Sequence, residues 1–173
     1  MTSLDGIAVV TIDSGEKVGA VDDMIFNLSE RRLIAFRLGR SGLFGGERHF
    51  IDMSDVESIG SDAIMIRDRE RVRDVRDNRD YSEMPTLGAL TSLRVVTQAG
   101  SYVGNVSTVQ IDPESGRLSQ IDISSGGLMS MFRHALEVPA MEIVSMGTDV
   151  VVIPDRFGPR DEEQAADEPE ITK

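Results

Sequence analysis

The chain repeats itself, and the repeat constrains its fold more than any single motif. Val9-Val10-Thr11 returns as Val95-Val96-Thr97. Gly15, Val18, Gly19 and Val21 return as Gly100, Val103, Gly104 and Val106. Arg32-Leu33 returns as Arg117-Leu118, Gly42-Leu43 as Gly127-Leu128, and Arg48-His49 as Arg133-His134. From Gly15 to His49 the offset stays at 85 without a gap. Asp62-Ala63-Ile64-Met65-Ile66 resembles Asp149-Val150-Val151-Val152-Ile153, with a slip of two residues. Self-similarity at a fixed period marks a duplicated structural unit. The expectation is two copies of one fold, each around its own apolar interior.

Each copy reads as strands. Ile7 to Ile12 is rich in β-branched residues, which suit a pleated, half-buried surface. Asp13-Ser14-Gly15 is a turn signal, and Lys17 to Phe26 follows as a long strand broken by Gly19. A glycine inside a strand marks a bulge or a close backbone approach. Both copies keep one, at Gly19 and Gly104, so both strands are expected to bend there. Asp112-Pro113-Glu114-Ser115-Gly116 is a clear turn, matching Asn27 to Arg31. Leu33 to Leu38 and Leu118 to Ile123 are third strands; a glycine-rich loop, Arg48 to Met53 and Ala63 to Arg67 complete the first copy. About six short strands per copy argue for small closed barrels, because closure removes open sheet edges.

The ordered pattern resembles the PRC-barrel family. It runs through Val9 to Asp13, Gly15, Val18-Gly19-Ala20-Val21, Asp22-Asp23, Arg32-Leu33 and Val56-Glu57-Ser58-Ile59-Gly60-Ser61-Asp62-Ala63-Ile64. The second copy departs from it at Met141 to Gly147. The resemblance covers about 150 of the 173 residues. It implies an all-β chain of two six-stranded barrels in tandem. Members include the cytoplasmic domain of the photosynthetic reaction centre H subunit and the C-terminal domain of a ribosome-maturation factor, where the barrel mainly contacts other proteins. The resemblance brings no shared catalytic residues. A fold alone does not give a function.

The expected organisation is a first barrel over residues 1–68, a charged linker over 69–88, a second barrel over 89–156 and a disordered acidic tail over 157–173. Residues 67–80 read RDRERVRDVRDNRD, six arginines against five acids, so the run nets +1 and is no nucleic-acid patch. It reads as a solvated linker or a short salt-bridged helix, with an electrostatic arm as the functional alternative. The tail, with Asp161-Glu162-Glu163 and Asp167-Glu168-Pro169-Glu170, has almost no apolar content. The net charge of −12 disfavours direct contact with nucleic acid or anionic lipid. The absence of cysteine excludes a disulfide framework, a thiolate metal site and a thiol nucleophile. No stretch approaches the roughly 18 apolar residues of a membrane helix. Nor does the N-terminus carry signal-peptide features. A cytoplasmic protein is expected.

Candidate interaction residues lie in the loop after the third strand: Leu43 and Phe44 in the first copy, Leu128, Met129, Met131 and Phe132 in the second. Large apolar side chains among glycines either mark a partner surface or plug the barrel ends and the interface between barrels. The two histidines, His49 and His134, occupy equivalent positions in the alignment and are weak metal candidates. Two histidines alone satisfy no ligand-spacing motif, so partly exposed strand residues are expected. Asp22-Asp23 and Asp52 with Asp55 suggest paired carboxylates, but nothing adjacent supplies a nucleophile, and solvated strand ends are expected instead. Structural roles fall to Gly15, Gly19, Gly100 and Gly104. No cofactor is implied.

These readings point to a non-catalytic interaction or scaffold module rather than an enzyme, with another protein or complex as partner. A small-ligand or metal-binding sensor and a ribosome-associated assembly factor are the alternatives. Membrane association would run through a partner. The chain is expected to be a monomer with pseudo-two-fold barrels, or a homodimer.

Overall fold

A computed structural model describes residues 4–39, 49–74, 80–124 and 135–159. The first copy comprises β1 (Ala8–Thr11), β2 (Lys17–Asn27), β3 (Arg32–Leu38), β4 (His49–Asp52), β5 (Val56–Ile59), β6 (Ala63–Ile66) and a short β7 (Arg73–Asp74). Two helical turns follow, α1 (Asp80–Glu83) and α2 (Leu87–Leu90). The second copy comprises β8 (Arg94–Thr97), β9 (Tyr102–Ile111), β10 (Leu118–Ser124), β11 (Leu136–Pro139), β12 (Ser145–Met146) and β13 (Val150–Ile153). The chain is all-β, with two barrel-like units.

Each unit is one curled sheet, ordered β5-β6-β1-β2-β3-β4-β7 and β11-β10-β9-β8-β13-β12. Neither ordering closes on itself: β5 and β7, and β12 and β11, remain sheet ends among the described residues. β1 runs parallel to β6 and β8 parallel to β13, while the other pairs are antiparallel.

The repeat holds at the level of register. Val21 pairs with Leu38 as Val106 pairs with Ile123. Met24 and Phe36 match Val109 and Ile121, and Phe26 and Leu33 match Ile111 and Leu118. All of these keep the offset of 85. The next strand does not. Leu38 faces His49 on β4, whereas Ile123 faces Leu136 on β11. His49 therefore has Leu136 as its ladder counterpart. The connection into β11 is two residues longer than that into β4. A two-residue slip keeps every side chain on its face, so apolar patterning alone did not reveal it.

The expectation of two separate interiors is also corrected. Buried side chains of both copies, from Val9 and Phe36 to Ile121 and Ile153, form one contiguous cluster. Small barrels bury a limited share of their surface alone, and here the facing sides bury each other. Leu33 N donates to Gly116 O and Leu118 N donates to Arg31 O, both at 2.8 Å. Arg32 and Arg117 meet between them as an antiparallel bridge. At the offset of 85 these contacts exchange with one another, which is the signature of a local pseudo-two-fold axis.

Over its first half the charged run is no free linker: Arg69–Arg71 forms one 3-10 turn, capped by Asp68, with Arg71 paired to Asp68 at 3.7 Å. The arginines on and around this turn each reach an acid elsewhere in the first unit. Arg67 pairs with Glu57 at 2.8 Å, and Arg69 with Glu16 at 2.6 Å. Arg71 and Arg73 both reach Asp55, at 3.1 and 2.9 Å, and Arg73–Asp74 adds to the edge of β4. Farther on, Tyr81 and Met84 cover a small outer cluster of Ile25, Ala35 and Phe50. The counterpart positions in the second unit are the polar Gln110, Gln120 and Glu137, which do not need such a cover. At the other end, Phe157 packs against the main core and Asp155 accepts a hydrogen bond from Ala99 N at 2.8 Å. The acidic tail thus does not begin at Phe157, as composition suggested, because that aromatic ring has a core to join.

Candidate functional site: the cleft between the barrels

Where the two sheets meet, a cavity of about 410 Å³ remains. Its walls come from both copies. Met24 on β2, Leu33 on β3, Met53 on the 3-10 turn after β4 and Ile59 at the end of β5 form one side, with Leu4 beside them. Val109 and Ile111 at the end of β9 form the other. Gln110, Ser119, Ser61 and Asp112 supply the polar groups. Concave, largely apolar sites with a few polar groups at domain interfaces are the usual form of a binding site.

Asp112 puts a fixed charge beside the opening. Its carboxylate accepts from Ser115 N at 2.7 Å and from Ser115 Oγ at 2.6 Å. Those bonds hold its pKa below the usual aspartate value. The turn residues therefore keep an oriented anion at one end of an apolar slot.

The carboxylates singled out from sequence are all paired with arginines; Asp22 keeps a solvated side chain, 52% exposed, while Asp23, Asp52 and Asp55 are largely buried. Arg37 pairs with Asp22 at 2.9 Å and Asp23 at 3.2 Å. Asp52 and Asp55, whose side chains are only 15% and 10% exposed, share Arg73. Arg73 lies about 20 residues from both in sequence, so local spacing does not show the pairing. Tyr81 also donates to Asp52 and lies edge-on to Phe50, ring centres 5.7 Å apart. Burial, then the bond to Asp52, pushes the Tyr81 phenol from its ordinary 10 up to about 12. The fold thus favours the neutral phenol. That contribution is complete below pH 10 and is lost as pH rises through about 12. An ultraviolet absorbance titration is expected to show one phenol ionising near 12, absent in Tyr81→Phe. A Tyr81 midpoint near 10 would show the contact is not kept in solution.

The structure places the other candidates as follows. His49 is half-buried on β4 between Leu38 and Asp74. Leu43, Phe44, Leu128, Met129, Met131, Phe132 and His134 lie outside the described residues. Gly15 and Gly100 take positive φ, 68° and 86°, in equivalent turns. Gly19 and Gly104 stand opposite Val9 and Val95, each beside a register shift. Among the described residues, no group of three or more His, Cys, Asp or Glu could hold a metal ion, and no helix is long and apolar enough to cross a membrane. Sequence reasoning missed the cleft because its walls combine residues far apart in the chain. The one local signal was the Asp112 to Gly116 turn, read only as a turn.

Fold and cleft define a class: a tandem of two small barrel-like β units docked face to face across a shared apolar seam. The family model of the PRC-barrel domain matches the chain twice, over residues 1–73 and 88–158. The chain belongs to the PRC-barrel domain family. No curated protein matches it.

Proposed function

We propose that the protein is a non-catalytic interaction module in which two PRC-barrel units together hold another protein or protein complex. The observation that carries this reading is the inter-barrel cleft, an open apolar slot with Asp112 beside it. Two units on one chain present a composite surface that neither has alone. The carboxylates nearest to a catalytic pattern are engaged with arginines, which supports a structural role for them.

The test is affinity purification from the source cell with mass spectrometry, using the full chain, an Ile59→Asp variant of the cleft wall and a variant with Leu128, Met129, Met131 and Phe132 changed to serine. The native chain is expected to recover a defined partner in stoichiometric amount. Ile59→Asp is expected to lose it while keeping its circular dichroism spectrum. Unchanged recovery by both variants would remove these surfaces from the reading. A small-ligand sensor is the second reading, favoured by the cleft volume, which falls in the range of about 300–1,000 Å³ typical of ligand sites. It is tested by thermal-shift screening of metabolites against the native chain and Ile59→Asp.

A further inference from the structure

The two sides of the inter-barrel seam match in backbone at Arg31–Leu33 and Gly116–Leu118 but differ in side chain at Arg31 and Gly116, and at Met53 and Ala140 of the turns they face. Arg31 and Gly116 occupy the same place, each carbonyl accepting from the leucine of the other copy at 2.8 Å. Both take left-handed backbone, with φ of 50° and 69°. The Arg31 side chain crosses to the second unit and caps the 3-10 turn Ala140–Glu142. Its guanidinium donates to Ala140 O at 3.0 Å, to Ile143 O at 2.7 Å and to Val144 O at 3.4 Å. The counterpart of that turn is Met53–Asp55 in the first unit. Glycine at 116 offers it nothing. A Cβ there would stand 3.1 Å from Leu33 O and 3.4 Å from Met53 Cγ, two residues that line the cleft. The cleft therefore borders the place a second Arg31 would occupy, where the Met53 side chain stands in place of the smaller Ala140.

A carbonyl oxygen has two lone pairs. Ala140 O accepts from Ile143 N at 3.2 Å as well as from Arg31. Met53 O accepts from Val56 N in the same way, and its other lone pair corresponds to the one Arg31 uses.

We infer that the cleft receives an arginine side chain from a partner protein, which caps the Met53–Asp55 turn as Arg31 caps the Ala140–Glu142 turn. This rests on the interaction reading above and names the chemistry of its partner. The stem of an arginine is apolar and suits Met24, Met53, Ile59 and Ile111, while its planar head donates to several oxygens at once. Asp112 beside the opening and the net charge of −12 favour approach of a cationic segment.

The test uses the full chain labelled with carbon-13 at its methionine methyls, since Met24 and Met53 both face the slot. It is titrated with acetyl-leucyl-arginyl-leucinamide and with the citrulline analogue, which keeps the shape and loses the charge. The arginine peptide is expected to shift the Met24 and Met53 signals saturably. The citrulline peptide should bind about tenfold more weakly or worse, the difference a charged donor makes. Gly116→Arg, which supplies a guanidinium within the chain, should move the Met53 signal by itself and suppress the response. Equal binding of the two peptides would overturn the inference while leaving an apolar interaction site. No response from Met24 or Met53 to either peptide would overturn it outright. Both outcomes are read on the native chain, so they hold even if Gly116→Arg fails to fold.

Discussion

Gly104→Ala is expected to destabilise the protein by about 3 kcal/mol, near the upper range for overpacking a tight site. A Cβ at 104 would stand 2.3 Å from Ser124 O and 2.9 Å from both Ile123 Cγ2 and the Ser124 carbonyl carbon. The closest of these is backbone of β10, whose neighbouring residue Ile123 pairs with Val106. To relieve the clash the strand must move, and the ladder goes with it. Alanine gains only about 0.5–1 kcal/mol over glycine in backbone entropy, too little to compensate. Gly19 is the control, since it holds the same place in the first copy. A Cβ there would meet Leu38 Cδ1 at 3.2 Å, the far end of a side chain that can turn aside. Gly19→Ala should therefore change stability by no more than about 1 kcal/mol. Urea unfolding followed by circular dichroism compares the two. Equal midpoints would mean that the strand crossing at Gly104 is looser than its geometry.

The same pair shows what a sequence can carry and what it withholds. That both long strands keep a glycine was legible, and so was a bend there. Which glycine faces immovable backbone was not, because that depends on the partner strand. Apolar residues located β3 and β10, and period two put Ile121 and Ile123, both buried, on one face of β10. It could not locate the two-residue slip before β11, because parity is unchanged by it. The charged run shows its alternation openly, yet the partners of its arginines are not legible in the sequence. Asp55 meets Arg71 and Arg73 only after the chain has turned back through β5 and β6. The cleft was the least legible feature. Its walls, Met24 and Ile59 on one side and Val109 and Ile111 on the other, meet only once the two copies are docked.

Docking also sets how the protein should unfold. Phe36 is fully buried, pairs with Met24 and Ile51, and belongs to the cluster that continues into the second unit. Phe36→Ala removes most of a ring from that core and is expected to cost about 3–5 kcal/mol. If the units were independent, only the first would be weakened. With one contiguous core, and with Arg31 tying the first unit to the Ala140–Glu142 turn of the second, the loss is expected to be shared. Hydrogen exchange read by mass spectrometry separates peptides of β2 and β3 from those of β9 and β10. In Phe36→Ala both sets should lose protection by the same free energy, and unfolding should remain a single transition. Exchange that accelerates in β2 and β3 alone would show two folding units in contact rather than one. The interaction surface would then be able to open along its seam, and a partner arginine in the cleft would be holding the halves together as well as reading them.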